Sequence, residues 1–188
     1  MKILVVNGHP DSKSYVSALF KKYVDNLDKK KHEIRTLDLG KMKFDPVLRF
    51  GYREFMKPDK EIEYSQECVK WADHIIFFYP IWWETVPSLL KGWFERVLTP
   101  GVAFNVDGYR SIKHLKGKTV YLVYTSLGPV FYQIFMGNLE IKVMKRILNY
   151  SGLKIIKIDR IGNTVGKYAS PKKREKFLQK IGDRAKKI

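Results

Sequence analysis

The sequence predicts an α/β protein: a doubly wound parallel sheet of five strands with helices on both faces. Three observations carry this. Several short apolar runs are continuous rather than alternating, as strands buried on both faces require. Segments with apolar residues at helical spacing lie between them. The two kinds of segment alternate along 188 residues, and alternation of this sort implies a parallel sheet covered on both sides. That length supports a full core, so residues 1–188 read as one domain.

Residues 3–6 form the first strand and run into Asn7-Gly8-His9-Pro10. Pro10 disfavours helix at His9, which keeps the turn open. Asp11, Ser12 and Ser14 are all N-cap types, and the helix after them places Ala18, Leu19, Tyr23, Val24 and Leu27 on one face. Residues 32–39 alternate in part, as a strand near an edge does. Residues 40–60 are irregular, interrupted by Gly40, Pro46, Gly51 and Pro58, but Met42, Phe44, Leu48, Phe50 and Phe55 argue for a packed or functional loop.

A helix over residues 62–72 turns Ile62, Cys68, Val69 and Ala72 inward, and residues 75–79 form a central third strand. The helix after Pro87 carries Val86, Leu89, Leu90, Trp93 and Val97 at helical spacing and stops at Thr99-Pro100-Gly101. Residues 101–116 read as a second irregular stretch. Residues 119–125 form the fourth strand. Residues 131–150 read as one long helix, with Leu139, Val143, Met144, Ile147 and Leu148 together and Gly152 as its stop. Residues 155–161 form the fifth strand. Ser170-Pro171 opens a last helix that buries Phe177, Leu178, Ile181 and Ala185.

Five such strands joined by right-handed crossovers fit the flavodoxin-like order 2-1-3-4-5. Its switch point lies between the first and third strands. The His9 loop and the loop after the third strand then flank one crevice.

The composition, 45% hydrophobic and 14% aromatic, argues for a folded chain. No apolar run is long enough to span a bilayer, and the apolar start is too short for a signal peptide, so a cytoplasmic location is expected. Cys68 is the one cysteine, which excludes an intrachain disulfide and a cysteine metal cluster. The net charge of +17 has three readings: a solvated lysine-rich surface, attraction of anionic nucleotide cofactors, or contact with nucleic acid or membrane. They rank in that order, and no nucleic-acid partner is expected.

The chemistry gathers in three turns. The third strand ends in Tyr79-Pro80-Ile81-Trp82-Trp83-Glu84-Thr85-Val86-Pro87, with two indoles in a turn at the carboxyl end of a central strand. Ligands sit there in open α/β sheets, and an aromatic wall suits a planar aromatic ligand. The plain alternative is that both indoles pack in the core or against a partner. In the first loop, Ser14, the backbone N–H groups after it and the positive helix end could hold one phosphate, with His9 adding a contact. The plain alternative there is a serine cap beside a turn histidine. After the fourth strand, Thr125-Ser126-Leu127-Gly128 offers hydroxyls and amides for the polar edge of a ring. The first loop lacks G-x-G-x-x-G. Gly162 to Lys167 is one residue short of a P-loop and lacks its Ser/Thr. H-E-x-x-H, acidic metal clusters and G-x-S-x-G are also missing, which lowers hydrolase and metal-enzyme readings.

The run from Tyr79 through Trp82-Trp83, Val86-Pro87 and Leu90-Lys91-Gly92-Trp93-Phe94-Glu95-Arg96-Val97 resembles the signature segment of the NAD(P)H:quinone oxidoreductase (DT-diaphorase) family. His9-Pro10 with Ser14 resembles that family's first loop. Thr125-Ser126-Leu127-Gly128 is similar to its Thr-Thr-Gly-Gly turn, with leucine where a glycine is usual. The short length is similar to bacterial quinone reductases, general-stress oxidoreductases and the ancillary flavoproteins of potassium-efflux systems. The resemblance implies a homodimer with a flavin at the switch point, FMN in the first place and FAD as the alternative. It also implies NAD(P)H as co-substrate and a quinone or similar small molecule as electron acceptor. It places His9, Ser14, Tyr15, Val16 and Ser17 around the flavin phosphate and ribityl chain. Pro80, Ile81, Trp82, Trp83 and Glu84 would border the ring, and Ser126, Leu127, Gly128 and Pro129 would line its pyrimidine side. Tyr132 matches a tyrosine that stabilises charge on the reduced ring; no histidine partner follows it. The alternative reading is an ancillary subunit that binds a membrane transporter through the segment around residues 42–60.

Overall fold

The computed structural model describes residues 1–188, the side chain of Lys167 excepted. In chain order the elements are β1 (Lys2–Asn7), α1 (Tyr15–Asn26), β2 (Glu33–Asp38), α2 (Lys60–Trp71), β3 (His74–Pro80), α3 (Ser88–Val97), β4 (Phe104–Asp107), β5 (Arg110–Lys113), β6 (Thr119–Thr125), α4 (Val130–Phe135), α5 (Leu139–Ser151), β7 (Lys154–Ile161) and α6 (Pro171–Ala185). The five-stranded sheet is parallel throughout, in the order β2-β1-β3-β6-β7. β4 and β5 form a separate antiparallel pair, so this is the 2-1-3-4-5 arrangement expected.

Burial explains the order. β3 is buried along its whole length, and β1 and β6 along nearly all of theirs, while β2 buries only Leu37 and lies at an edge. On one face α1 and α6 set Val16, Leu19, Tyr23, Phe177 and Ile181 against Ile3, Val5, Ile76, Phe78 and Tyr121. On the other face Ile62, Val69, Leu90, Trp93, Met144 and Leu148 meet Leu4, Val6, Ile75, Phe77 and Leu122. The inward side of α1 is therefore Val16-Leu19-Tyr23, and Ala18 faces solvent: α6 packs beside α1 and turns the 16/19/23 stripe toward the sheet. The last helix buries Phe177, Ile181 and Ala185, with Leu178 half-buried.

Three irregularities have specific causes. Residues 40–59 form neither helix nor strand, α2 beginning at Lys60, yet they are held on the body of the protein. A Cβ on Gly40 would lie 2.4 Å from the Pro10 carbonyl oxygen, and one on Gly92 in α3 would lie 2.4 Å from the Pro46 oxygen. Both glycines permit close backbone approach, and buried Arg96 donates from Nη1 to the Asp45 oxygen at 2.7 Å. Residues 101–116, expected to be irregular, contain the β4–β5 hairpin. Asp107 pairs with Arg110 across a two-residue loop led by Gly108 at φ +57°.

The long helix expected over residues 131–150 is two helices. Gly137 (φ +81°) and Asn138 (φ +53°) break it, and Arg160 Nη1 ties Asn138 Oδ1 (2.5 Å) and Glu140 Oε1 (3.2 Å) at the break. The break leaves Leu139 and Val143 exposed while Met144 and Leu148 reach the core. It also lets α4 bury Gln133 and expose Phe131 and Phe135. Among the described residues no helix is long and apolar enough to cross a membrane, and no group of three His, Cys, Asp or Glu side chains is arranged to hold a metal ion.

Candidate functional site

β3 and β6 end level, with Pro80 opposite Thr125, so the turns that follow leave the sheet side by side. β1 delivers the first loop next to them. Its last residue, Asn7, is fully buried and organises that loop. Asn7 Nδ2 donates to Ser17 Oγ and to Asp38 Oδ1, both at 2.9 Å, and its Oδ1 accepts the His9 N–H at 3.2 Å. Gly8 slides under Leu90, whose Cδ2 would lie 2.7 Å from a Cβ there. Ser14 caps α1 by accepting the Ser17 N–H at 3.1 Å, and Ser17 Oγ donates to the Asp11 oxygen at 2.8 Å. The N–H groups of Tyr15 and Val16 have no acceptor among the described residues. They point out of the positive end of a twelve-residue helix, the arrangement that binds anions.

The loop after β3 extends the sheet by one bond, Ile81 N–H to the Thr125 oxygen at 2.7 Å. It then reverses tightly. Trp82 and Thr85 exchange both backbone hydrogen bonds, 2.9 and 3.1 Å, around Trp83 at φ +50° and Glu84 at φ +56°. Turns with two left-handed central residues ordinarily use Asn-Gly, because other side chains pay a steric penalty there. Trp82 is 44% exposed and stands edge-on to His9, ring centroids 5.3 Å apart at 74°. Trp83 is 99% exposed. The core-packing alternative for these indoles therefore fails within this chain. A strained turn that holds a large apolar ring in water gains nothing for the fold, and strain of this kind gathers at functional sites.

The third wall is the turn after β6. Ser126 N–H donates to the Ile161 oxygen at 3.0 Å, and Ser126 Oγ to the Gly128 oxygen at 2.9 Å. The loop after β7 backs it: Thr164 Oγ1 donates to the Ser126 oxygen at 3.0 Å, and Gly162 lies where a Cβ would meet the Gly128 oxygen at 2.4 Å.

These walls enclose a crevice of about 340 Å³, within the range of small-molecule sites. Larger cavities lie along α6, beside the loop near residue 50, between α3 and α5, and on the outer face of α5, but none of these joins a free helix end to an aromatic wall. Burial lowers the pKa of His9 below the usual imidazole value, with the Asp11 carboxylate opposing the shift. Asp11 N–H donates to His9 Nδ1 at 2.9 Å, so the neutral ring carries its proton on Nε2 and can donate from there. Arg174 closes the open side. Its guanidinium lies 4.5 Å from the Tyr15 ring centroid, and Tyr15 Oη donates to the Arg174 carbonyl at 2.6 Å. Burial pushes the Tyr15 phenol up to about 12 against the pull of Arg174, which keeps it a neutral donor.

Of the residues expected from the sequence, His9, Ser14, Tyr15, Val16, Pro80, Ile81, Trp82, Ser126 and Leu127 line this crevice. Ser17 lies beneath it as part of the Asn7 network. Trp83 and Glu84 form the tip of the turn, and Gly128 and Pro129 form the backbone of the third wall. Tyr132 is on α4, 46% exposed, outside the crevice lining. Thr125, from the same turn motif as Ser126, also lines the crevice, and the structure adds Asp11, Thr164, Val165 and Arg174. Thr164 sits in the stretch set aside as a failed P-loop. Arg174 sits in the basic run Lys172-Lys173-Arg174-Glu175-Lys176, where its i+3 spacing from Pro171 gave no hint of a crevice. The donor set suits a phosphate-bearing aromatic ligand: two unpaired amides and a cation at one end, and an indole with apolar neighbours at the other.

Similar proteins share this frame. Ribosyldihydronicotinamide dehydrogenase [quinone] of Mus musculus is 33% identical over 147 residues, covering 68% of this chain and 64% of the mouse protein. The chain thus spans less than two thirds of the length of that relative. The crystal structure of Smu.1420 from Streptococcus mutans UA159 superposes with a TM-score of 0.88 at 33% identity, covering all of both chains. An FMN-dependent NADH-azoreductase from Bacillus anthracis, solved in complex with FMN, shares the fold at a TM-score of 0.76 and 17% identity, over 99% of this chain and 98% of that one. A family model described as flavodoxin-like fold matches residues 1–185. With its strand order, its switch-point crevice and that match over nearly its whole length, the chain belongs to the flavodoxin-like fold family.

Proposed function

We propose that the crevice holds a flavin and that the protein is a flavin-dependent NAD(P)H oxidoreductase acting on quinones or similar small electrophiles. The observation that carries this is the pairing, in one crevice, of unpaired amides at the α1 N-terminus with the aromatic Trp82–Thr85 turn. The names of the related proteins support it: a quinone-type dehydrogenase among the sequence relatives and an FMN-dependent reductase among the fold relatives. FMN is the first choice and FAD the alternative, because the phosphate-binding end shows little that would grip an adenosine half.

A bound flavin supplies two-electron hydride exchange between a nicotinamide and an acceptor. The chain's own groups do the positioning. The Tyr15 and Val16 amides, Ser14 and Arg174 hold the phosphate. Neutral His9 donates from Nε2 toward the same end, and Ser17 keeps the loop in shape through Asn7 and Asp11. Pro80, Ile81 and Trp82 form the wall for the ring, with Trp83 and Glu84 at its rim. Ser126, Leu127, Gly128 and Pro129 present polar backbone to the ring's pyrimidine edge. Tyr132, on α4 beyond the crevice lining, would steady negative charge on the reduced ring from that side.

Three coarser readings accompany this. Residues 1–188 form one domain, as a single family match over residues 1–185 supports. The exposed apolar residues of α4, Phe131, Ile134 and Phe135, suit a homodimer contact next to the site. A cytoplasmic location fits the lone cysteine and the absence, among the described residues, of a membrane-spanning helix. The segment near residues 42–60, the transporter contact of the alternative reading, is anchored to α3 at Asp45 and Pro46, with Val47, Phe50, Tyr52 and Phe55 exposed.

The test is turnover. Protein reconstituted with FMN should oxidise NADH or NADPH only to the extent of its own flavin until a soluble quinone is supplied, and then turn over repeatedly; Tyr132→Phe should slow the quinone-dependent step while leaving flavin bound. Flavin-loaded protein that oxidises neither nicotinamide would overturn the oxidoreductase reading.

A further inference from the structure

The positive charge of this protein is concentrated in one layer. Residues 12–31 and 170–188 carry 14 lysines and arginines against 4 acidic residues, more than half of the net +17 in about a fifth of the chain. These two segments contain α1 and α6, which pack side by side on the same face of the sheet. The charges therefore share one surface.

That surface is built against its own stability. Lys172 and Lys173 stand in the first turn of α6, at the positive end of the helix dipole, with no acidic residue beside them there. Lys172–Lys176, Lys176–Lys180 and Lys180–Arg184 are like-charged pairs at i,i+4, each mildly destabilising. Asp159 satisfies Lys180 and Arg184 at 2.5 and 3.4 Å. Lys13, Lys21, Lys22, Lys172, Lys173, Lys176 and Lys187 make no ion pair among the described residues. An open groove of about 660 Å³ follows α6 between Lys173 and Lys187, a rise of about 21 Å. Lys157 faces the groove's cations from β7; burial lowers its pKa, and Arg184, Lys180 and Lys187 add to that.

The chemistry of the layer selects the partner. Its unpaired cations are all lysine, mobile point charges that do not form the planar forks used to read bases or grip single phosphates. Both of its arginines are engaged, Arg174 on Tyr15 and Arg184 on Asp159. No large aromatic side chain of these segments is exposed, so single-stranded nucleic acid would find no stacking platform. A spread of lysines on two packed helices complements a diffuse negative potential, which is the property of an anionic lipid leaflet. We propose that the α1/α6 layer docks the protein on anionic phospholipid surfaces. Lys13 and Arg174 belong both to this layer and to the crevice rim or its loop, so docking sets the crevice beside the lipid. The proposal does not depend on the crevice binding flavin.

Vesicle flotation tests it. The intact protein is mixed with phosphatidylcholine vesicles, or with vesicles containing about one quarter phosphatidylglycerol, at low salt and at about 0.5 M salt. Binding is expected only to the anionic vesicles and only at low salt. The combined variant Lys172→Glu, Lys173→Glu, Lys176→Glu and Lys187→Glu should bind at least about tenfold more weakly. A control with the same change of net charge, Lys43→Glu, Lys60→Glu, Lys70→Glu and Lys116→Glu, should bind within about threefold of the parent. If the first variant melts early, the Lys→Gln versions replace both sets. Failure to bind anionic vesicles at low salt overturns the proposal. So does equal loss in both variants, which would mark bulk charge, and so does tighter binding to a short DNA duplex than to the vesicles.

Discussion

Trp83 and Trp93 lie ten residues apart in one motif and do opposite work. Trp93 is fully buried in α3, with its ring 5.9 Å from Phe77 and 5.5 Å from Phe94, and its Nε1 donates to Ser65 Oγ at 3.1 Å. Trp83 is 99% exposed on a backbone held in the left-handed region. One indole belongs to the scaffold and the other to the site, and the boundary between them is Pro87. The difference teaches that a signature segment can be two devices in sequence: a helix that fixes where β3 ends, and a turn that uses that end.

The comparison can be broken at either indole. Trp93→Ala should cost about 3–5 kcal/mol of unfolding free energy, through lost contacts, the cavity and an orphaned Ser65 hydroxyl. Urea denaturation reads this directly, and a loss below about 1 kcal/mol would show that α3 is not the scaffold described. Trp83→Ala should leave stability within about 0.5 kcal/mol of the parent, since the ring contacts little of its own chain. The same change should weaken flavin binding by about 0.5–1.5 kcal/mol, the worth of an aromatic contact, as measured by fluorescence titration. Equal losses of stability and affinity would erase the distinction between the two residues.

Glu84→Gly sharpens the comparison from the backbone side. Relief of the left-handed strain should raise the melting free energy by about 0.5–1 kcal/mol, and the looser turn should lower flavin affinity slightly. An unchanged or lower stability would mean that the turn is not strained. The smallest effect concerns His9. Its folded pKa is lowered, so the unfolded chain takes up the proton first as pH falls below about 6.5. The stability that neutral His9 contributes is present above that pH and is lost as pH falls through the folded pKa. Denaturation from pH 7 to pH 5 should therefore show a shallower decline in His9→Gln than in the parent, and identical slopes would contradict the assignment. His74, whose pKa burial also lowers, remains in both proteins and cancels.

How much of this could be read from residues alone depends on the kind of signal. The strand order was legible because β1, β3 and β6 are continuous apolar runs and because each crossover carries a helical stripe. The β4–β5 hairpin was not, since its strands are only four residues each and mostly exposed and polar, although Asp107-Gly108 opens a tight turn between them. The α4–α5 break hid behind apolar residues that continue at helical spacing on both sides of Gly137-Asn138, and only the Arg160 tie shows why the chain turns there. In the site, Ser14 and the Trp82-Trp83 turn were legible because cap chemistry and an aromatic turn at a strand end are local patterns. Arg174 was not, because nothing local separates an arginine over a crevice from one in a solvated basic run. The state of the indoles was equally closed to sequence: composition cannot tell 99% exposure from burial.

The central claim is that the α1 N-terminus and the Trp82–Thr85 turn together hold a flavin. Equilibrium titration of flavin-stripped protein with FMN, followed by the visible spectrum and by protein fluorescence, tests it most directly. The account predicts one FMN per chain, quenching of the tryptophan emission, and loss of tight binding when Arg174→Ala removes the cation at the phosphate end. A protein that retains its melting curve after stripping yet binds neither FMN nor FAD would contradict it.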